Sequence, residues 1–399
     1  MSKAGKNTHM EHLEDEIINK GTEGGQQAIK ILKEMAKFLD GTGRSQTAVT
    51  VKWDGAPAVV CGTDPSDGKF FVGTKSVFAK DSKLCKSPED VNNLYSGVLA
   101  QKLIASYNSL KDCNIKGVLQ GDLMFTNDKE TKVIDGKPYT TFRPNTITYA
   151  VVPHSKLGKK INQSSLGIVF HTKYTGPTLA TMTASFDVKE SDFSASPVTW
   201  IATAEFQDIG GVAKLDGGQR QKYMAAIRKA EGSLRASRKV LDAIQTGKKT
   251  LGVDTEFKKF FNNYVKAGVP VPSVAKAYSD FMIHMGKEYD KKIQPLKTLK
   301  SQEKKVYQFV ETIDFLMSNE REVKMAIATY MNLQFCKNIL VEKMKKVQKL
   351  NLFVDMGSGD YKVTTDEGYV AISGRTAVKL IDRLEFSRLN FTVPKQWDK

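Results

Sequence analysis

The chain has 399 residues, 40% of them hydrophobic, and a formal net charge of +16 at pH 7. It is long enough to bury a large core and to form two or three domains. No uninterrupted apolar run reaches membrane length, so we expect no membrane partner. The polar N-terminus is no secretory signal, and we therefore expect a cytoplasmic protein.

The four cysteines, Cys61, Cys85, Cys113 and Cys336, are widely spaced and form no Cys-x-x-Cys pair. This spacing predicts neither a zinc site nor a disulfide framework. The excess of lysine and arginine fits a polyanionic partner, and nucleic acid is the expected one.

Residues 1–46 form a polar segment followed by a helix. Apolar residues recur at helical spacing from Ala28 to Leu39, which predicts a helix that covers one face of the next domain. His9 and His12 stand beside glutamates, and we interpret this stretch as a solvated helix start rather than a metal site.

Residues 47–210 form the first part of a β-rich domain, because short apolar and β-branched runs alternate there with Gly, Asp, Asn and Pro turns. Asp54-Gly55 and the following Ala-Pro predict a sharp reversal between the first two strands. The predicted strands are 47–51, 58–62, 69–72, 117–124, 146–152, 167–172 and 198–204, and one helix is predicted at 91–107.

In residues 211–351 the apolar residues recur at helical spacing, which predicts a helical domain. Between residues 216 and 350 there are 27 Lys or Arg against 14 Asp or Glu. A solvated surface is one explanation for this charge, and a platform for a phosphate backbone is the stronger one.

Residues 352–399 again have strand-like sequences, and strands are predicted at 361–364, 368–372 and 377–381. The predicted fold is therefore α+β, with a mainly antiparallel sheet and an inserted all-helical basic domain.

Lys52 lies at the end of the first predicted strand, next to the Asp54-Gly55 turn. In a mostly apolar wall its ammonium form would lose solvation, and the neutral amine would become available as a nucleophile. Taken alone, the stretch fits an edge-strand lysine in an ordinary hairpin better. Residues 52–55, Lys-Trp-Asp-Gly, resemble motif I, Lys-x-Asp-Gly, of the covalent nucleotidyltransferases, which include ATP-dependent DNA ligases, RNA ligases and mRNA capping enzymes. The resemblance implies that Lys52 attacks the α-phosphate of a nucleoside triphosphate, with Asp54 and Gly55 in the nucleotide site.

Three further residues extend the resemblance in chain order. Lys75 follows a strand where the family has Ser-Arg, and as a point charge it would engage a phosphate. Residues 117–124 resemble motif III, with Asp122 in place of glutamate, contacting the ribose and helping to hold the metal. Tyr149 stands where motif IIIa stacks an aromatic ring on adenine.

The last two motifs follow the helical region. Glu367 and Gly368 resemble motif IV, and Lys379 resembles motif V with one lysine instead of two. The resemblance implies that Glu367 binds Mg²⁺ and that Lys379 contacts the α-phosphate. A rival for motif IV is the strand 166–171, which has no glutamate, and we prefer Glu367.

The resemblance implies a nucleotidyltransferase (ATP-grasp-like ligase) domain, with ATP and Mg²⁺ as cofactors. The arginine two residues after motif I is absent, and Pro57 stands there instead. Only 16 residues follow Arg383, which leaves no room for the C-terminal OB-fold of DNA ligases and capping enzymes and favours the RNA-ligase-like branch. The chain also looks similar to uncharacterised phage-encoded members, which would act in the host cytoplasm.

The resemblance implies an ATP-dependent polynucleotide ligase that joins ends or nicks through a lysyl-AMP at Lys52, and we expect RNA rather than DNA as its substrate. One alternative is a nucleotidyltransferase with a protein or small-molecule acceptor. The other is a non-catalytic basic nucleic-acid-binding protein, which the single motif V lysine and Asp122 in motif III favour.

Overall fold

A computed structural model describes residues 11–40, 47–145, 147–194, 196–205, 213–247, 251–347, 351–355, 361–363, 368–373 and 376–387. The helices are α1 (Glu16–Asp40), α2 (Pro88–Leu94), α3 (Gly97–Leu110), α4 (Lys156–Gln163), α5 (Gly217–Thr246), α6 (Val253–Ala267), α7 (Val274–Ile293), α8 (Leu299–Ser318) and α9 (Glu320–Met344). The strands are β1 (Glu11–His12), β2 (Thr47–Lys52), β3 (Ala58–Thr63), β4 (Phe70–Gly73), β5 (Val118–Phe125), β6 (Glu130–Ile134), β7 (Lys137–Phe142), β8 (Ile147–Val151), β9 (Leu166–Thr175), β10 (Thr183–Ser185), β11 (Thr199–Thr203), β12 (Asn351–Asp355), β13 (Tyr361–Val363), β14 (Gly368–Ser373) and β15 (Thr376–Leu380).

The strands form three sheets. The first has the order β1-β15-β14-β2, the second contains β10-β9-β5-β3-β4 with β11 beside β9, and the third has the order β13-β12-β8-β7-β6. Among the described strands, β1 is parallel to β15 and β11 is parallel to β9, whereas the other pairs are antiparallel. The predicted α+β class with antiparallel sheets is confirmed.

Strands that follow α9 in the sequence pair with strands that precede α5. β12 pairs with β8, β14 pairs with β2, and β15 pairs with β1. The long helices α5 to α9 lie between these two sets of strands in the sequence. Chain segments far apart in sequence therefore form the first sheet together.

The helices α5 to α9 share one hydrophobic core with α1 and with the first sheet. Several begin after a residue whose side chain accepts an N–H of the first turn, as Asp216 does for α5, Ser273 for α7 and Thr298 for α8. Such caps satisfy backbone donors that have no partner within the helix. In the part of the chain that the structure describes, no helix combines the length and apolar composition needed to cross a membrane.

A buried network of charges links Glu14, Asp15 and Arg383 to α9. Lys337 Nζ donates to Glu14 Oε1 at 2.6 Å, and both side chains are fully buried. Arg383 donates to Asp15 Oδ1 at 3.4 Å and to the Tyr330 hydroxyl at 2.9 Å. Burial raises the pKa of Asp15 to about 6 and lowers the pKa of Lys337. Residues 13–15 are thus part of the core, although the polar composition around them suggests a solvated segment.

Two local features differ from the expectation. The predicted turn at Asp54-Gly55 does not join two paired strands, because β2 and β3 belong to different sheets. The helix predicted at 91–107 is two helices, α2 and α3, because Tyr95 and Ser96 are extended and Gly97 has a φ of +61°. That conformation suits glycine.

Candidate functional site

Lys52 and Lys379 lie on the same face of the first sheet. The register places His12, Lys379, Val370 and Thr50 side by side across β1, β15, β14 and β2. Side chains directly opposite each other in a sheet point to the same face, and so do residues two apart on one strand. Lys52 is two residues beyond Thr50, so it shares the face of Lys379 and His12.

One strand, β14, separates β2 from β15. With strands ~4.8 Å apart and a rise of ~3.4 Å per residue, the Cα atoms of Lys52 and Lys379 are on the order of 12 Å apart. Both side chains are half-buried. Two long cationic side chains at this separation can contact neighbouring phosphates of one nucleotide.

The opposite face of the same sheet is apolar. Val49, Tyr369, Ala371, Val378 and Leu380 are buried there in the core that the sheet shares with the helices. Because successive residues alternate between the faces, the apolar side fixes the register and turns the lysines away from that core. The hydrophobic pattern of β2, β14 and β15 therefore positions the lysines.

His12 lies beside the lysines and is largely buried. Burial lowers its pKa well below the usual value, and the positive charges of Arg383, Lys337, Lys379 and Lys52 lower it further. The interpretation of His12 as part of a solvated helix start was wrong, since His12 lies in β1 in register with Lys379. Lys379 and Lys52 thus place two positive charges near His12, and two cations on one sheet face suit an anion.

The turn after Lys52 carries the chain from the first sheet to the second. Asp54 is buried, and its carboxylate accepts hydrogen bonds from Asn145 Nδ2 at 2.6 Å and from the Ile147 amide at 2.8 Å. The backbone N–H of Asp54 donates to the Tyr149 hydroxyl at 2.7 Å. Asp54 thus fixes the turn to β8, which holds the end of Lys52's strand in place.

Tyr149, the candidate for stacking on adenine, is 1% exposed. Its ring stacks with those of Trp53 and Phe142, both at 5.4 Å between centroids. In this arrangement the ring and hydroxyl support the Asp54 turn, and a base would reach Tyr149 only if the ring were uncovered. Its contact with adenine stays a prediction.

Gly55 brings the turn into contact with β5. A Cβ on residue 55 would lie 2.5 Å from the Asp122 Cβ and 3.0 Å from the Leu123 carbonyl oxygen. The Ala56 amide also donates to the Leu123 carbonyl at 3.0 Å. Glycine is needed for this close approach, which places the Asp122 carboxyl beside the Lys52 turn.

Asp122 is a half-buried carboxylate with a histidine beside it. His171 Nε2, on the adjacent strand β9, is 3.7 Å from Asp122 Oδ1. His171 ends the rival motif IV strand, which therefore lies next to the motif III candidate. In the described parts of the chain, no three His, Cys, Asp or Glu side chains cluster to hold a metal.

Two further lysines lie near the same turn. Lys102, on α3, donates from Nζ to the Ala56 carbonyl at 3.2 Å. Lys75 is exposed and follows β4, whose last residue, Gly73, pairs with Val60 on β3. Lys75 thus lies toward the end of the sheet where β3 begins. Lys102 was missed because a single lysine on an amphipathic helix gives no sequence signal.

Glu367, the predicted metal ligand, lies outside the described residues. The residue after it, Gly368, pairs directly with Lys52. Gly368 has a φ of +152°, and a Cβ there would lie 2.6 Å from the Leu380 carbonyl oxygen, so glycine is required at this position. The structure thus brings Lys52, Asp54, Gly55, Asp122 and Lys379 to the ends of two adjoining sheets.

Comparison with known proteins identifies the family. No curated protein matches the chain, and no solved structure matches it. A family of unknown function, DUF6267, matches residues 7–395, which is nearly the whole chain. The chain therefore belongs to the DUF6267 family.

Proposed function

We propose that this chain is an ATP-dependent polynucleotide ligase that carries AMP on Lys52 and joins 5′-phosphate to 3′-hydroxyl ends of RNA or DNA. The observation that carries the proposal is the shared sheet face of Lys52 and Lys379, with the turn of Gly55 packed against Asp122. These are the residues of motifs I, III and V in the resemblance, and the fold brings them together although more than 300 residues separate the first from the last.

In the first step, Lys52 Nζ attacks the α-phosphorus of ATP. A nitrogen–phosphorus bond forms, the bond between the α-phosphorus and the pyrophosphate oxygen breaks, and the ammonium proton goes to solvent. Lys379, on the same sheet face as Lys52, offsets the negative charge that collects on the α-phosphate and the leaving pyrophosphate.

In the second step, an oxygen of a nucleic-acid 5′-phosphate attacks the same phosphorus. The nitrogen–phosphorus bond breaks and Lys52 leaves as an amine, taking up a proton. In the third step, a 3′-hydroxyl attacks the activated 5′-phosphate, a phosphodiester bond forms, and AMP departs. The three steps consume one ATP and return Lys52 to its starting form.

Asp122 fits a site for Mg²⁺. It is a partly exposed carboxylate beside the Lys52 turn, and Mg²⁺ in nucleotide sites usually takes one or two carboxylates together with phosphate oxygens and water. Glu367 would be the second carboxylate. When bound, the ion neutralises charge on the triphosphate.

The experiment follows label from nucleotide to product. The purified protein is incubated with α-labelled ATP and Mg²⁺ and denatured, and the label retained on the polypeptide is counted. We expect retained label in the wild type and none in Lys52→Arg, which keeps the charge but removes the nucleophile. The labelled protein is then given nicked duplexes and single-stranded RNA with 5′-phosphate ends.

Joined product with loss of label from the protein would support the ligase. Label without a joined product would point to a protein or small-molecule acceptor. Absence of label with each of the four triphosphates, from protein free of bound nucleotide, would overturn the proposal.

A further inference from the structure

The outward face of α5 has an unusual composition. Four of the ten arginines in the chain, Arg220, Arg228, Arg235 and Arg238, lie on this one helix. The exposed cations on α5 are these four together with Lys222, Lys229 and Lys239. The helix carries only two acidic residues, Glu231 and Asp242.

Both acidic residues already have partners. Glu231 accepts from Lys33 of α1 at 2.6 Å, and Asp242 lies 3.5 Å from Arg238 and accepts from the Thr22 amide. Arg220 pairs with Asp40. In the part of the chain that the structure describes, Lys222, Arg228, Lys229, Arg235 and Lys239 have no acidic partner.

Three of these unpaired cations form a line. Arg228, Arg235 and Lys239 are seven and four residues apart, so they project from one side of the helix and span about 16 Å along its axis at ~1.5 Å per residue. The opposite side of α5 is buried against α1 and α9 through residues such as Ile227 and Leu234. The helix that carries these cations is therefore held in place by its packing against α1 and α9.

Gly232 lies on the same side, between Arg228 and Arg235. A Cβ at residue 232 would have no protein atom within 4 Å. Glycine weakens the interior of a helix relative to alanine, and no packing inside the protein requires it here. A glycine on an open surface instead allows close approach by another molecule.

The surface suits a phosphate backbone better than a lipid bilayer. No large hydrophobic side chain is exposed on α5, whereas α8 exposes Leu299, Val306 and Tyr307. A helix that lies in a membrane interface needs an apolar face to insert, and the apolar face of α5 is already buried in the core. Arginine, with its planar fork of donors, is suited to phosphate.

We infer that the outward face of α5, centred on Arg228, Gly232, Arg235 and Lys239, is the surface on which the protein holds the phosphodiester backbone of its nucleic-acid substrate. The inference rests on the proposed ligase function and assigns its substrate contact to one helix among five. It predicts binding that depends on strand charge and not on base sequence.

The test compares two charge-reversed triple variants. Arg228→Glu, Arg235→Glu and Lys239→Glu change α5, while Lys297→Glu, Lys300→Glu and Lys304→Glu change exposed lysines near and on α8 by the same total charge. Binding of 5′-phosphorylated single-stranded and nicked oligonucleotides is measured by fluorescence anisotropy at several salt concentrations. Thermal unfolding and label retained from α-labelled ATP are measured for each protein.

We expect the α5 triple to bind oligonucleotides about 100-fold or more weakly and to lose ~2–3 from the slope of log K against log salt, because each phosphate contact contributes ~0.7–0.9 to that slope. The α8 triple should bind nearly as the wild type does, and both triples should retain label. If the α5 glutamate triple fails to fold, the corresponding alanine triple provides the same comparison.

Wild-type affinity in the α5 triple, equal loss in both triples, or binding of the wild type to anionic vesicles but not to oligonucleotides would overturn the inference. These outcomes are separate from failure of the proposed function. A wild type that takes no label but binds nucleic acid through α5 would refute the ligase and retain the surface. If the wild type takes label and the α5 triple binds oligonucleotides normally, the ligase proposal is retained and the α5 surface is refuted.

Discussion

Gly55 and Asp122 approach so closely that a Cβ on residue 55 would lie 2.5 Å from the Cβ of Asp122. This contact joins the turn after Lys52 to β5 and thereby sets the position of Lys52 relative to the Asp122 carboxylate. The two residues are 67 positions apart in the sequence.

Substitution of Gly55 by alanine tests this contact. The added methyl group would push the turn away from β5, and we expect a loss of stability of about 1–3 kcal/mol, typical of overpacking. Because an error of about 1 Å in positioning can cost ~100-fold in rate, label incorporation should fall by about that factor. The control is Gly286→Ala on α7, where a Cβ meets no atom within 4 Å. Equal incorporation in both variants would contradict the account.

Lys379→Met removes the second cation from the face of Lys52. If Lys379 offsets charge on the α-phosphate, the rate of label incorporation should fall by about 100- to 1000-fold, as when one preorganised donor is removed from an active site. Stability should change by less than about 0.5 kcal/mol, because Lys379 is only half-buried. Single-turnover labelling, with Lys300→Met as the control, measures the effect. An unchanged rate would remove Lys379 from the site.

Sequence patterns predicted the strands that carry the site because each has one apolar face. Val49 and Val51 alternate with Thr50 and Lys52, and this alternation survives in the sheet. The β6–β7 hairpin, whose first strand is largely exposed, escaped prediction because it lacks that alternation. The role of His12 could not be predicted, because a two-residue strand has no periodicity and its neighbour Lys379 is hundreds of residues away.

The sequence predicted the turn at Asp54-Gly55 but did not predict which residues the turn contacts. The Asp54-Gly55 pair predicts a reversal, yet only the fold shows that Asp54 binds the start of β8 and that Gly55 packs on Asp122. Local sequence determines conformation at such positions, whereas long-range packing determines the contact.

Lys337→Met breaks the buried pair with Glu14 and tests how firmly the N-terminal segment is held to α9. Glu14 would then keep a buried charge with the Arg383 guanidinium, 3.8 Å away, as its remaining cation, and we expect a loss toward the lower end of about 3–5 kcal/mol in the free energy of unfolding. Adding Glu14→Leu should restore most of that loss. Urea unfolding gives the free energy of unfolding of the wild type, Lys337→Met and the double variant. The control is Lys324→Met, which removes a more exposed ion pair on the same helix. A double variant no more stable than Lys337→Met would contradict the prediction.

Asp15 gives the stability a defined pH dependence. Burial raises its pKa from 3.8 to about 6, despite the opposing charges of Arg383 and Lys337, and the nearby Glu14 and Glu11 raise it further. The folded state therefore binds the proton more tightly than the unfolded state, and this contribution to stability is lost as pH rises from about 4 to above 6.

Asp15→Asn should remove that dependence. Relative to the variant, the wild type should lose on the order of 3 kcal/mol between pH 4 and pH 7, since one pKa unit corresponds to about 1.4 kcal/mol. Urea unfolding of both proteins across this range gives the difference. A difference that stays constant with pH would show that Asp15 does not titrate in this window.

The most direct measurement of the central claim is to locate the nucleotide on the protein. The wild type is incubated with ATP and Mg²⁺, digested under conditions that preserve phosphoramidates, and mapped by mass spectrometry. The account predicts one AMP on the peptide that contains Lys52, and none on those that contain the neighbouring Lys75 or Lys102. AMP on either of those lysines instead, or no adduct on any peptide, would contradict it.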